Sequence, residues 1–584
     1  MPSVVPESKP PTGAIAPGGP LATPDRQLTL PLLRILVPLV IAASGLAVLF
    51  AWLFPAAQNA RPAPVARFTN VTAETGVRFV HRAAMGEALT TLGGAVAVLD
   101  FDRDVRPDLL FVNGAPWPWE ETANAPTTTC ALYHNDGNGH FTDVTHAAGL
   151  DFVMQGMAAA VGDYDNDGYP DIFITGVGPN RLLHNERNGT FADVTATAGV
   201  GGDGQTWATG ATWLDLDDDG RLDLVVANYA HWPEEVELST AFSVAQMGHS
   251  YGAPSGFVGV LPSVYRNLGG GRFTLVPAAA GLRNIDPQTH LPVAKALAVV
   301  PLDANGDGRL DLLFTYQAAP EALFLNQGDG SFRKWSPGLD RRSEGSAGLA
   351  SAGGLTLAQG VGLDERFAAL MSASTLEPSS REDQPLLALP TKLGLGLLDY
   401  DHDGHFELFS GEGRAEPDLN QFEAGRAFQA APRLWWNHGL TWEVAPAPGA
   451  EATGWQIPLV ARGVATADLD GDGDSDIIIV QNNGPAVILR NDQRSGRPWL
   501  RIALVATRSQ AEAAGARVEI HTPRRVLVRT MAPAMGYMAQ SESVLECGLG
   551  EDDRVRKIVV RWPSGQRQEL RPEAINRTLV IREP

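Results

Sequence analysis

The sequence predicts an all-β chain: a β-propeller followed by a small β-sandwich, preceded by one transmembrane helix. Three observations carry this. An acidic loop flanked by apolar strands recurs six times between residues 100 and 476. That repeat stops after Arg494, where a new series of short alternating strands begins. Twenty uncharged residues, Ile35 to Phe54, lie near the start.

Composition sets the outer bounds. The chain has 584 residues, with 67 Asp and Glu against 45 Lys and Arg, a formal net charge of −22. Such a surplus repels phosphate backbones, and no basic stripe offsets it, so nucleic-acid binding is excluded. The 62 Gly and 42 Pro favour short strands and turns. Cys130 and Cys547 are the only cysteines, more than four hundred positions apart. A disulfide framework and a thiolate zinc site of the usual spacing are thereby excluded.

Residues 1–27 are rich in Pro, Ala, Gly and Ser without apolar period and are expected to be a disordered tail. The stretch ILVPLVIAASGLAVLFAWLF (35–54) at about 1.5 Å per residue covers roughly 30 Å, one bilayer core. Within a segment 28–54 it is expected to act as a transmembrane signal-anchor, followed by a linker over 55–67. A cleaved signal peptide is the alternative, with a mediocre cleavage site at Ala56-Ala57-Gln58-Asn59-Ala60. Both readings export the remainder, to the periplasm or cell surface if anchored, and as a secreted protein if cleaved.

The repeat carries most of the information. Its loops read DFDRDVRPD (100–108), DYDNDGYPD (163–171), DLDDDGRLD (215–223), DANGDGRLD (303–311), DYDHDGHFE (399–407) and DLDGDGDSD (468–476). Oxygen-bearing side chains recur at positions 1, 3, 5 and 9, and Gly stands at position 6 in five of the six. Calcium takes 6–8 hard oxygen ligands, and a tight loop with side chains at alternate positions can aim them at one ion. The candidate ligands are Asp100, Asp102, Asp104 and Asp108 in the first loop, then Asp163, Asp165, Asp167 and Asp171 in the second. Asp215, Asp217, Asp219 and Asp223 serve the third, and Asp303, Asn305, Asp307 and Asp311 the fourth. The fifth offers Asp399, Asp401, Asp403 and Glu407, and the sixth Asp468, Asp470, Asp472 and Asp476. Val105 replaces the glycine in the first loop, and Asn305 is the one amide among the ligands. An EF-hand would require Glu at position 12, where this chain has mostly apolar residues inside strands such as DIFIT and DIIIV. The loops hold 25 of the 67 acidic residues, a concentration that repels itself without cations.

A second element follows each loop: LYHNDGNGHFTDVT (132–145), LLHNERNGTFADVT (182–195), VYRNLGGGRFTLV (264–276) and LFLNQGDGSF (323–332), with weaker copies LWWNHGLTWEV (434–444) and VILRND (487–492). Asn before a Gly-rich turn and an aromatic reads as a hairpin, so each repeat is a small antiparallel sheet. Successive loops start 63, 52, 88, 96 and 69 residues apart. About 50 residues make a four-stranded propeller blade, and the excess fits insertions at roughly 230–262 and 338–390. FTNVTAETGV (68–77) matches the tail of a repeat with no loop before it, so a strand at the start of the body is expected to complete the last sheet.

These loops and hairpins resemble the FG-GAP/VCBS repeat family, whose integrin-type members form seven-bladed propellers with calcium in inter-strand loops. The resemblance implies a propeller of about seven blades over 68–494, with six calcium loops visible. The segment 495–584 reads as a β-sandwich from the alternation in RVEIH, VLVRT and KIVVRW, with a hairpin turn at Trp562-Pro563-Ser564-Gly565. It resembles the ASPIC/UnbV domain in Gly515-Ala516-Arg517-Val518, Gly536-Tyr537 before Gln540-Ser541, Gly548-Leu549-Gly550 and Arg561-Trp562-Pro563-Ser564-Gly565. Cys547 stands where that pattern has an aromatic and is read as a small core residue. The order of the two parts is similar to the cartilage acidic protein family.

No nucleophile elbow, P-loop, HExxH or dinucleotide fingerprint occurs. His134, His184 and His402 sit in repeat units, where position rather than catalysis accounts for them. Exposed aromatics are the remaining functional hint: Trp117, Trp119, Trp207 and Trp232 are candidates for stacking on a sugar or anchoring a protein at the propeller rim, and Trp435 and Trp436 belong to the same group. Blade packing is the competing reading for each. The expectation is therefore a calcium-binding adhesion module for a protein or glycan, held to a membrane by one helix. A glycan-active lyase or hydrolase on the same scaffold, or a scaffold subunit of an envelope complex, are the alternatives.

Overall fold

The computed structural model describes residues 62–82, 93–115, 130–239, 243–244, 248–249, 258–276, 281–286, 288–292, 295–317, 321–335, 349–352, 355–358, 394–413, 428–437, 442–448, 454–509, 512–532 and 536–584. The apolar segment Ile35 to Phe54, together with Trp117 and Trp119, lies outside the described residues. Among those described, no helix is long and apolar enough to cross a membrane. Helix is confined to short pieces such as Thr72–Thr75, Thr195–Ala198 and Glu234–Ser239.

Each acidic loop joins the first two strands of a four-stranded antiparallel sheet. The first sheet contains Ala95–Leu99, Asp108–Val112, Cys130–Gly137 and His140–Asp143. The second contains Gly156–Gly162, Asp171–Gly176, Arg181–Asn185 and Phe191–Asp193. Thr206–Leu214, Asp223–His231, Ser263–Asn267 and Phe273–Leu275 form the third. Lys295–Leu302, Asp311–Gln317, Ala322–Asn326 and Phe332–Lys334 form the fourth. The fifth has Gly394–Leu398, Glu407–Gly411, Arg433–Asn437 and Trp442–Val444.

The sixth sheet is built from both ends of the body. Ala461–Ala467, Asp476–Gln481 and Val487–Asn491 come from the last repeat. Its outer strand is Phe68–Asn70, antiparallel to the third with Phe68 opposite Asn491. The strand expected from FTNVT thus fills the place that a hairpin partner takes elsewhere. It buries Phe68 where four of the other sheets bury Phe141, Phe191, Phe273 and Phe332. Each such ring is worth roughly 2–3 kcal/mol of burial.

First strands of neighbouring sheets pack together: first on second, second on third, third on fourth, fifth on sixth, and sixth back on first. This succession is consistent with a propeller. Between the fourth and fifth sheets the described residues show one hairpin, Leu349–Ala352 with Leu355–Ala358. The first strands are rich in Ala, Gly and Val because they are buried on both faces, as in AVAVL and GMAAAVG.

The C-terminal segment forms two sheets around one core. Leu545–Gly548, Trp499–Val505 and Thr578–Arg582 make the first, with the last two parallel. Val526–Thr530, Arg517–His521, Lys557–Arg561 and Arg567–Leu570 make the second. Leu500, Ile520, Ile558, Trp562 and Cys547 meet between them, so Cys547 is a core residue as expected. The turn at Trp562-Pro563-Ser564-Gly565 joins paired strands, with Gly565 at φ 81°.

The segment from Gly536 to Glu542 leaves the C-terminal domain and enters among the first strands of the repeat sheets. Ala539–Gln540 pairs in parallel with Val96 and Ala97. Gln540, 1% exposed, clamps Val161: its Oε1 accepts the Val161 N–H at 2.8 Å and its Nε2 donates to the Val161 carbonyl at 3.2 Å. On the other side the Thr466 N–H donates to Ser541 Oγ at 3.0 Å. Tyr537 and Met538 are buried in one cluster with side chains of the first four sheets.

Candidate metal centres and their attachment to the C-terminal domain

The register of the first two strands creates the loops. In all six sheets the residue before position 1 pairs with position 9: Leu99 with Asp108, Gly162 with Asp171, Leu214 with Asp223, Leu302 with Asp311, Leu398 with Glu407, and Ala467 with Asp476. Positions 1 and 9 are thereby brought side by side. The turn between them needs left-handed backbone twice. Position 6 has φ 94°, 83°, 89°, 93° and 97° at Gly168, Gly220, Gly308, Gly404 and Gly473, and 73° even at Val105. Position 4 is left-handed as well, at Arg103, Asn166, Asp218, Gly306, His402 and Gly471.

Backbone N–H groups brace the carboxylates from outside. Asp163 accepts from Asp167 and Gly168 at 2.9 and 2.7 Å. Asp171 accepts from Tyr164 and Asn185 at 3.3 and 2.8 Å. The first, third and fourth loops repeat this scheme, and in the sixth Asp468 accepts from Gly471 and Gly473; in the first, Asp100 accepts from Asp104 and Val105, and Asp108 from Phe101 and Asn135. Each oxygen so held keeps a lone pair for an ion.

The carboxylates converge. Ligand atoms of Asp100, Asp102 and Asp108 lie within 4.8 Å of one another, as do those of Asp163, Asp165 and Asp171 and of Asp215, Asp217 and Asp223. Two oxygens each about 2.4 Å from one ion can be no more than about 5 Å apart, so the spacing suits calcium. Burial pushes the carboxyls up: Asp163 and Asp215 to about 6, Asp108, Asp223 and Asp311 to about 7, and Asp171 to about 9, against the pull of their N–H donors. In the fifth loop Asp399 is fully buried and its Oδ1 has no hydrogen-bond partner. Buried carboxylates with unused oxygens fit a hard, oxygen-seeking cation. A bound calcium would supply charge neutralisation and a fixed loop geometry.

Two histidines belong to the sites. His134 Nε2 lies 3.1 Å from Asp102 and 3.4 Å from Asp104, and His184 Nε2 lies 3.1 Å from Asp165 and 3.7 Å from Asp167. Both precede the repeat asparagine by one residue, the place taken by Arg266 in the third sheet, where it pairs with Asp217. The shared H-N and R-N dipeptides are the signal that could have marked them.

That asparagine does more than start a turn. Asn185 Nδ2 donates to Pro170 O in its own loop and to Phe101 O in the preceding sheet's loop, at 3.2 and 2.9 Å. Asn135 likewise reaches Leu469 O of the sixth sheet at 3.0 Å, Asn267 reaches Tyr164 O at 2.8 Å, and Asn491 reaches Tyr400 O at 3.3 Å. Asn185, Asn267 and Asn491 each staple their loop to the loop before it, and Asn135 staples the first loop to the sixth.

The rim aromatics are corrected in part. Trp207 and Trp232 are 2% and 3% exposed and pack on each other and on Tyr229, rather than facing solvent. Trp435 and Trp436 are also buried. Large apolar rings at the ends of first and second strands gain more from the space between sheets than from the rim.

The C-terminal domain docks on the loops. Arg497 pairs with Asp401 at 2.6 Å, and Arg501 pairs with Glu542 and, at 3.5 Å, with Asp468. Arg525 and Arg529 donate to the carbonyls of Asp403 and Gly404 at 2.6 and 2.9 Å. Gly548 and Gly550 donate to Asp399 Oδ2 and His402 O at 3.0 and 2.9 Å. A Cβ at Gly548 would stand 2.2 Å from that oxygen, which explains the glycine. Burial, then Asp403, Glu546 and Asp401, raises the Asp399 carboxyl well above the carboxylate range.

Comparison with known proteins finds two family models in the chain. The FG-GAP-like repeat model matches residues 100–174 and 163–226, and the ASPIC and UnbV model matches 506–584. Human cartilage acidic protein 1 is 26% identical over 474 residues, 70% of this chain and 68% of the relative. The mouse protein of that name is 26% identical over 494 residues, 73% of each chain. That of Xenopus tropicalis is 26% identical over 272 residues, 44% of this chain and 40% of the relative. The chain carries FG-GAP-like repeats and an ASPIC/UnbV domain, and it is homologous to cartilage acidic protein 1.

Proposed function

We propose that the chain is a membrane-anchored, extracytoplasmic, calcium-binding β-propeller that acts as a binding or adhesion module for a protein or glycan. The observation that carries the reading is the sixfold register that sets a carboxylate at position 9 beside one at position 1, at one end of each of the six repeat sheets. In this account calcium is structural, and the C-terminal domain covers parts of the loop end. The domain combination and the homology to cartilage acidic protein 1 support an extracellular binding role. The apolar segment 35–54 supports export behind an anchor.

The loop-free end then presents the ligand. A groove of about 610 Å³ lies there between the second and third sheets, lined by Met154, Arg181, Asp193, Trp232, Glu234 and Glu235 among others. Its mixed apolar and charged lining suits a glycan or a polar peptide. The test is a glycan array and a panel of defined extracellular-matrix proteins, probed with the calcium-loaded chain. Saturable binding weakened by Arg181→Ala supports the reading. Turnover of a bound glycan would instead establish an enzyme, and no binding to either class would overturn the proposal.

A further inference from the structure

Glu546 lies on the strand Leu545–Gly548 of the C-terminal domain, is 7% exposed, and turns its carboxylate toward the fifth acidic loop. Its Oε2 accepts the N–H of Asp399 at 3.2 Å. Glu542 makes the equivalent contact in the sixth loop, accepting the N–H of Asp468 at 3.1 Å. There the like charges are reconciled by Arg501, which pairs with both carboxylates. In the fifth loop Arg497 pairs with Asp401, but among the described residues no ion pair within 4 Å reaches Asp399 or Glu546, although the charges of Arg501 and Arg529 act on Glu546 and that of Arg529 on Asp399. Arg525 and Arg529 of the C-terminal domain donate to the loop's backbone carbonyls. What remains is a fully buried Asp399 with an oxygen that meets no donor, facing a buried glutamate from another domain. Two buried like charges in contact are unfavourable unless a cation of the right size lies among them.

From this geometry we propose that the fifth loop's cation is an interdomain ion. Glu546 adds a carboxylate to those of Asp399, Asp401, Asp403 and Glu407, and the ion holds the C-terminal domain and its Gly536–Glu542 insert against the repeat sheets. The proposal rests on the calcium reading of the loops and goes beyond it: one ion of the set fastens a domain, whereas the others brace a turn. Calcium loss would loosen the insert, and the insert is hydrogen-bonded to the first, second and sixth sheets, so the domain arrangement responds to calcium as a unit.

The test uses the full chain in calcium and after calcium removal, with calcium titration by calorimetry and hydrogen exchange over residues 536–550. In the wild type, calcium removal is expected to raise exchange over 536–550. Glu546→Gln keeps the acceptor for the Asp399 N–H and removes the charge. It is expected to weaken one ion about 10- to 100-fold, the usual effect of a supporting ligand, and to abolish the calcium-dependent protection of 536–550 at intermediate calcium. Glu546→Asp, which keeps the charge but withdraws it, gives a smaller loss of the same kind and guards against a folding defect in the first variant. Asp219→Asn in the third loop also weakens one ion but leaves the protection of 536–550 intact. Wild-type affinities and protection in Glu546→Gln, or equal loss in Asp219→Asn, would overturn the proposal while leaving the calcium loops standing. A wild type that takes up no calcium would overturn both.

Discussion

Replacing Asn185 by alanine tests whether the repeat asparagine is an inter-sheet staple. The side chain is fully buried and makes three hydrogen bonds: to Phe101 O at 2.9 Å, to Pro170 O at 3.2 Å, and from Arg187 N at 3.0 Å. Alanine leaves two carbonyls and one N–H in place without that partner. At about 1 kcal/mol net for each, the loss is about 3 kcal/mol. The bond from the Asn185 N–H to Asp171 survives, since it is backbone. Asn188→Ala is the control: its exposed side chain accepts only from Thr190, and its loss should cost under about 0.5 kcal/mol. Equilibrium urea unfolding followed by tryptophan fluorescence reads the difference between the two variants. If Asn185→Ala shifts the transition no more than Asn188→Ala, the staple carries no stability and the reasoning fails.

Three further outcomes follow from the loops. Val105 is a β-branched residue at φ 73°, so Val105→Gly should relieve about 1–2 kcal/mol of strain, return part of it as chain entropy, and stabilise by about 0.5–1 kcal/mol, whereas Val105→Ala should gain less. Gly548→Ala places a methyl 2.2 Å from Asp399 Oδ2 and 2.4 Å from the His402 carbonyl carbon; it should cost about 1–3 kcal/mol and raise hydrogen exchange across 545–550. In calcium-free protein, Asp163 and Asp215 at about 6, Asp108, Asp223 and Asp311 at about 7, and Asp171 at about 9 all stand above the unfolded carboxyl near about 3.9. Raised carboxyls contribute stability that is present at low pH and lost as pH rises through those values. Calcium-free protein should therefore melt higher at pH 5 than at pH 8, and calcium-saturated protein should reverse the order; differential scanning calorimetry at the two pH values decides it.

What the sequence made legible were features that repeat locally. Six loops in one register announced the sheets, the glycine at position 6 announced the turn, and FTNVT announced the closing strand, because each depends on neighbours within a few residues. Position 4 escaped notice since Arg, Asn, Asp, Gly and His all occupy it, and no residue type marks the left-handed turn. Asn135 looked like a turn residue because its second partner, Leu469 O, is 334 residues away. Trp207 and Trp232 resembled rim residues by their place near strand ends, but burial between sheets claimed them. The insert of Gly536 to Glu542 shows no strand alternation, and Glu542 and Glu546 gain meaning only from the N–H groups of Asp468 and Asp399, which no local pattern reveals.

Calcium stoichiometry with and without chelation, read together with the melting temperature, is the most direct test of the account. Cages in the six loops predict four to six bound ions and a large drop in melting temperature when they are removed. No bound calcium and an unchanged melt would contradict it, leaving the six acidic loops without the cation that their geometry is built to hold.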